Sequence, residues 1–353
     1  PKTIPLQVTE LDNSAYPAWD RFVSEHSDGS VFHTDQWRQY LETAFPHIRG
    51  HFLAITDSVS QEILAGLPIY EVRSWILGTR LVSVPYANWC QPLFSNQLQF
   101  ETLLQGAIDL TNRLRASSAR IHLKNSLPDL SNLPWHQESL WLHHWIDLSV
   151  SAEQLYSNFS RTAVRQLIRK AERAPIEVSS DHSEEALRSF HHLYSKTRCR
   201  LCLPPIPYRT LLIRGSTLGW QSQNLLLARK GSELLGGVIL LIDAKEAHLE
   251  HAAQSAGAVN SGTMQLLYWR AIQLACDSGC SRFSFGRTAQ NNTGLITYKR
   301  RWNTQEEPLP IISYRSQIKG QRMGSPNGAR AIVGQFIRHA PLPVSRLIGA
   351  YLY

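Results

Sequence analysis

A chain of 353 residues that is 43% hydrophobic and 18% charged has ordinary globular composition, which excludes a disordered or low-complexity protein and leaves room for one large or two medium domains. Its longest apolar run, Leu234 to Ile242, holds two glycines and falls well short of the roughly 20 residues of a membrane span, and Pro1-Lys2-Thr3-Ile4 leads into mixed sequence with no signal-peptide pattern. The charge is uneven: residues 1–150 hold 10 Lys+Arg and 15 Asp+Glu, net −5, while residues 151–353 hold 26 and 13, net +13, so the second half is expected to meet a polyanion such as RNA, nucleotide phosphates or an anionic membrane.

In chain order, Ala15 to Ser27 has a helical pattern stopped by Asp28-Gly29-Ser30. Thr34 or Asp35 then caps a helix to about Phe45. His51–Ile55, Ile63–Val72 and Ile76–Ser83 read as strands, Leu98–Ser117 as a long helix, and Arg120–Leu123 and His144–Leu148 as strands around a proline-containing loop. A second unit opens at Ser151 with a helix expected over Glu153–Ala174. Its core positions are Val164, Leu167, Ile168 and Ala171, and Arg161, Arg165, Arg169 and Arg173 form an i, i+4 stripe on another face. Like charges at that spacing repel by about 0.3 kcal/mol per pair, so the stripe is either a solvated face or an anion contact.

A strand at Ile176–Val178, helices at Glu184–Cys199 and Tyr208–Gly215, and a tightly turned meander of Asn224–Lys230, Leu234–Ile242 and Ala247–Ala253 follow. A loop leads to the helix Met264–Ser278, capped by Gly279, and Ser281–Phe285 returns as a strand. That strand breaks at Gly286 into a polar loop ending in Tyr298-Lys299-Arg300-Arg301-Trp302, three cations between two aromatics. From Pro308 onward no acid occurs, and 329–339 and 343–352 read as short amphipathic helices that either close the fold or meet RNA or a membrane surface. The two halves repeat the order helix, helix, strand meander, long helix, strand, which implies a structural duplication without a visible sequence repeat.

Five cysteines with no dense framework indicate a reducing, cytoplasmic compartment. Cys199, Cys202, Cys276 and Cys280 have the donor types of a zinc site, but Cys276 and Cys280 read better as core, so no metal is expected. The pairs His143-His144 and His191-His192 read as structural, because neighbours on a strand or helix diverge.

Several stretches carry a family resemblance: Val31-Phe32-His33-Thr34-Asp35-Gln36-Trp37, the helix Arg165-x-x-x-Arg169-Lys170-Ala171, Thr197-Arg198 before a proline-rich loop, and Gly236-Gly237 in a strand. The most specific are Gly279-Cys280-x-x-Phe283-x-Phe285-Gly286-Arg287 and Tyr298-Lys299-x-x-Trp302. Spread over nearly the whole chain, they resemble the Fem-type (FemABX-like) family of aminoacyl-tRNA-dependent peptidyl transferases, built on two tandem GNAT-type N-acyltransferase units. The resemblance implies an α/β (α+β) fold with mixed, mostly antiparallel sheets flanked by helices. It implies a first domain over 1–150, with 316–353 packing back on it, and a second over 151–315.

The implied reaction moves an aminoacyl group from charged tRNA to an amine of a peptide, peptidoglycan precursor or small metabolite, with no metal or organic cofactor. Lys299 is then the catalytic residue, and Tyr298, Arg287, Gly286, Arg198, Arg165, Arg169 and Trp37 bind substrate. A fixed ammonium suits the tetrahedral oxyanion formed when an amine attacks an ester. The partners implied are aminoacyl-tRNA and an amine-bearing acceptor. The basic C-terminal composition adds peripheral contact with an anionic membrane, at its inner face.

The chain departs from the cell-wall members in lacking a long helical-hairpin insertion. It also has Leu41, with Arg38 the nearest cation, where a lysine for the nucleotide acceptor is expected. An acyl-CoA-dependent N-acyltransferase is the alternative. Its pyrophosphate loop would be Gln254-Ser255-Ala256-Gly257-Ala258-Val259, a near miss at Val259, with Glu250 or His251 as general base.

Overall fold

The computed structural model describes residues 6–74, 78–125 and 127–316. Strands and helices follow in the order β1 (Val8–Glu10), α1 (Tyr16–Glu25), α2 (Asp35–Ala44), β2 (Ile48–Thr56), β3 (Ile63–Ser74), β4 (Gly78–Val82), α3 (Gln97–Arg113), β5 (Ser118–His122) and β6 (His136–Asp147). Then come α4 (Ala152–Asn158), a π-helical turn (Arg161–Arg165), α5 (Gln166–Arg173), β7 (Glu177–Ser180), α6 (Glu184–Arg200), α7 (Tyr208–Leu218), β8 (Gln223–Lys230), β9 (Glu233–Ile242), β10 (Glu246–Gln254), α8 (Thr263–Asp277), β11 (Arg282–Ala289), α9 (Thr293–Arg300) and β12 (Gln305–Arg315).

The described residues divide into two compact units, 6–142 with 307–316, and 143–306. The division therefore falls inside β6 and β12, not at the 150/151 junction, and 307–315 count with the first unit. The reason is pairing: Ile311–Arg315 of β12 form an antiparallel ladder with Ser118–His122 of β5, which carries that stretch into the first core. The expectations for 316–353, packing back on the first domain, and for helices at 329–339 and 343–352 lie outside the described residues apart from Ser316.

In the first unit β1, β2, β3 and β4 are antiparallel neighbours, α3 crosses over, and β5 returns parallel to β4. Leu53, Ile55, Leu67 and Ile69 of the sheet pack against Phe100, Leu103, Leu104 and Ala107 of α3. The second unit repeats this plan. β7, β8, β9 and β10 are antiparallel, α8 crosses over, and β11 returns parallel to β10. The duplication expected from element order is thus present in the fold.

The second unit's sheet is buried on both faces, and its period of two sorts side chains between two cores. Leu226, Val238 and Leu240 pack with Ile168 of α5 and Leu266 and Leu267 of α8. Leu225, Leu227 and Ile239 pack with Leu187 and Phe190 of α6 and Leu211 of α7. Gly237 allows the close fit on that second face: a Cβ there would stand 2.8 Å from both Phe190 and Leu227.

Two expected elements differ. The helix drawn over Glu153–Ala174 is broken at Phe159–Ser160, where Ser160 becomes a new N-cap whose Oγ accepts from the Ala163 N–H. The π-helical turn that follows advances fewer degrees per residue than an α-helix, so the four arginines do not form one α-helical face. The polar loop drawn over 286–302 holds a helix, α9, because the Asn292 side chain accepts from the Leu295 N–H and starts it.

Candidate active site

The site grows from the place where β10 and β11 part. Their parallel register joins Glu246–His248 to Arg282–Ser284, whereas the strands run on to Gln254 and Ala289. β10 bulges at Glu250, between the pairs Leu249–Leu240 and His251–Ile239. On β11, Phe283, Ser284 and Phe285 are buried, and Gly286 follows with φ +70°, inside the strand rather than at its end. In a regular strand successive carbonyls point to opposite sides. The left-handed Gly286 breaks that alternation, so that the carbonyls of Gly286 and Arg287 both reach the Lys299 ammonium, at 2.9 and 3.4 Å.

Lys299 is carried there by α9. Ile296 and Lys299, three apart, share the buried face of this helix, while its ends are exposed. Lys299 is only 5% exposed, and burial pulls its pKa from the ordinary 10.5 down to about 7. The amine thus exists in both protonation states near neutrality. Charged, it can donate to a developing oxyanion; neutral, it can take a proton from an attacking amine.

Around it, His144 of β6 is fully buried and held down to about 4 by burial first and then by the charge of Lys299. Its Nδ1 lies 3.6 Å from Glu306 Oε1, and Glu306 takes Arg300 in a bidentate pair at 2.6 and 2.9 Å. Arg300 therefore has a structural partner. Behind Ser284, His143 Nε2 lies 2.7 Å from the Ser284 hydroxyl and 3.6 Å from Glu246. Both contacts use the same ring nitrogen and all three residues are buried, so this is a packed polar core rather than a nucleophile with its base.

The other expected site residues fall into three groups. Tyr298 is partly buried among Tyr268 and Trp302, and burial pushes its hydroxyl up to about 12, so it props α9 on the aromatic core. Arg165 is half-buried in the π-helical turn, and this segment meets the end of α9 through Ser160 N–H donating to Arg301 O at 2.8 Å. Arg169 is exposed on α5. Arg198 is elsewhere in the unit: its Nε donates to Pro204 O at 3.1 Å and its guanidinium stands 5.8 Å from the Tyr194 ring. Trp37 belongs to the first unit, buried against Phe32 and Tyr40.

Of the alternative bases, Glu250 is the counter-ion of the buried Arg214 at 3.3 Å, and His251 is held well below the ordinary histidine range by burial. Sequence reasoning missed His144, whose ring feels the charge of Lys299, and Glu306, which lies beside His144; one was set aside as half of a histidine pair and the other lies across a turn from Arg300. Among the described residues no cluster of three or more His, Cys, Asp or Glu is disposed to hold a metal, and no helix is long and apolar enough to cross a membrane.

Residues 158–300 match the model of the acetyltransferase (GNAT) domain. No match is found among curated proteins. Among solved structures, FemX superposes with a TM-score of 0.67 at 12% identity, covering 88% of this chain and 98% of that one. A tandem GNAT protein from the clavulanic acid biosynthesis pathway gives 0.58 at 9% identity, over 89% and 100% of the two chains. L-PGS from Bacillus licheniformis gives 0.55 at 14% identity, over 94% and 98%. Residues 158–300 are thus similar to the acetyltransferase (GNAT) domain, and the chain has the tandem-GNAT fold of these structures.

Proposed function

We propose that this acyltransferase fold moves an aminoacyl group from charged tRNA to an amine of a peptide, peptidoglycan precursor or small metabolite, without metal or organic cofactor. The observation that carries the reading is Lys299, a buried amine with a pKa of about 7, held on two carbonyls where β11 leaves its partner strand. The acceptor amine attacks the ester carbonyl of the donor, and the Lys299 ammonium steadies the oxyanion as charge develops. The attacking nitrogen gives up one proton, and the tetrahedral intermediate collapses to the amide and expels the ribose oxygen, which takes up a proton in its place. Gly286 and Arg287 fix the amine; Tyr298 holds its helix; Arg165 and Arg169 contribute positive charge for the donor's phosphates. Arg198 and Trp37 complete the substrate-binding set on this reading. The protein would work in the cytoplasm, with membrane contact, where it occurs, made at the inner face by the basic C-terminal stretch.

The test is transfer by purified protein from a mixture of charged tRNAs to extract amines, read by mass spectrometry. RNase is expected to abolish product. Lys299→Ala is expected to lower turnover by about 10²–10³, the usual loss for one oxyanion donor, with the circular dichroism of the fold retained. Unchanged turnover in that variant would remove Lys299 from the mechanism. A second reading, transfer from acyl-CoA, is favoured by the acetyltransferase model match over 158–300. Product formed from acetyl-CoA and insensitive to RNase would replace the first reading with this one.

A further inference from the structure

The helices α6 and α8 end in the same way. In α8 the Gly279 N–H donates to Cys276 O at 2.9 Å and the Cys280 N–H to Ala275 O at 3.0 Å. In α6 the Cys202 N–H donates to Cys199 O at 3.0 Å and the Leu203 N–H to Arg198 O at 2.9 Å. This paired cap needs a left-handed residue just past the helix, usually glycine. α8 has one, Gly279 at φ +78°. α6 puts Cys202 there, at φ +57°, where a side chain is disfavoured. The cap itself therefore gives no reason for a cysteine.

The same cap turns Cys202 back toward Cys199. A four-residue turn closed by such a bond holds its end Cα atoms within about 7 Å, and a disulfide spans Cα separations of about 4.4–6.8 Å. Both cysteines are only partly buried. Burial, by contrast, pushes the thiols of Cys90, Cys276 and Cys280 up, that of Cys280 to about 11. Cys199 also lines a cleft of about 950 Å³, with Arg188, Lys196 and Arg200 of α6 on one side and Gln254, Ser255 and Ala256 on the other. Cations beside the thiol suit an anionic reagent. Among the described residues the two cysteines join no third metal ligand, so a paired thiol is what the CxxC leaves.

We propose that Cys199 and Cys202 form a reversible disulfide site, oxidised by small anionic disulfides such as oxidised glutathione. Cys199, which lines the cleft, attacks one sulfur of the reagent as a thiolate, releasing one half of it and leaving a mixed disulfide. Cys202 then gives up its proton and attacks the Cys199 sulfur, and the second half of the reagent leaves. Two protein thiols are oxidised, one reagent disulfide is reduced, and both protons end on the two released thiols. Closure places Arg200 inside the ring, and Arg200 ties α6 to Gln254 O at 2.6 Å. The site does not depend on which acyl donor the protein uses.

The experiment equilibrates the full chain at neutral pH in mixtures of reduced and oxidised glutathione. Free thiols are then alkylated in denaturant, the chain is cut after its lysines, and the peptides are read by mass spectrometry. Residues 197–230 form one such peptide, which holds Cys199 and Cys202 and no other cysteine. The reduced protein gives this peptide with two alkyl groups. As the share of oxidised glutathione rises, the peptide is expected to appear without alkyl groups and two hydrogens lighter, and dithiothreitol is expected to reverse this. Cys202→Ser is expected to hold one glutathione on Cys199 instead, the mixed disulfide trapped before its second step. Two alkyl groups in the parent at every ratio overturn the proposal. So does a parent peptide that keeps one glutathione and one alkyl group, since the two thiols would then not meet.

Discussion

Lys299 is the residue on which both the proposed chemistry and the stability cost of the site meet. Its folded pKa of about 7 lies below the ordinary 10.5. Between those pH values the unfolded chain holds a proton that the folded one has shed, so this residue makes stability rise with pH across that interval. Below about pH 7 both states are protonated, and the full cost of burying an ammonium stands. Lys299→Met removes that cost but leaves the Gly286 and Arg287 carbonyls without their donor, a loss that does not titrate. The melting temperature of Lys299→Met relative to the parent is therefore expected to be highest below pH 7 and to fall as pH rises toward 10.5. A difference that stays constant over that range would mean that Lys299 does not titrate there. The lysine itself was legible in the sequence through the aromatic-Lys pattern. Its desolvation was not, since that depends on His144 and on the carbonyls of β11, which only the fold brings alongside.

At the scale of the element, α9 decides whether Lys299 reaches its carbonyls. It has eight residues, too few to be stable alone, and a glycine at its second position. Gly294 and the run Gln290-Asn291-Asn292 make the segment read as a loop, and the capping role of Asn292 is what turns it into a helix. The break between α4 and α5 has the same origin: Ser160 sits inside an apparently continuous helical period and caps a new turn. Long periodic elements such as α3, α6 and α8 were plain in the sequence because their apolar spacing runs over 15 to 17 residues. Short elements begun by one polar side chain were not. Asn292→Ala is expected to cost about 1 kcal/mol of stability and to lower turnover although it touches no reacting group. Asn292→Asp, which can accept the same Leu295 N–H, is expected to restore both. Turnover unaffected in Asn292→Ala would show that α9 holds its place by the packing of Tyr298 and Ile296 alone.

On the scale of the whole chain, the two units share an element order and bury separate cores, but the two halves of the sequence differ in the sign of their charge: net −5 over residues 1–150 and +13 over 151–353. Duplicated backbones with opposite charge suit different uses, and that asymmetry is plain from residue counts alone. Counts do not show how the cations are grouped. The α5 arginines lose their common face at the π-helical turn, while Arg188, Lys196 and Arg200 of α6 lie on one uninterrupted helix and line one cleft. Charge spread over a surface and charge lined along a groove differ in their response to salt. If, on the transferase reading, Arg188, Lys196 and Arg200 neutralise three phosphates of the donor, the affinity for a labelled single-stranded RNA falls by about 20-fold between 50 and 200 mM salt, since the slope is roughly −0.7 per contact. Anisotropy titrations of the parent across that range check this. A fall of less than fivefold would mean that no more than one or two of the cations meet phosphate at once, and would return the basic half to the role of a solvated surface.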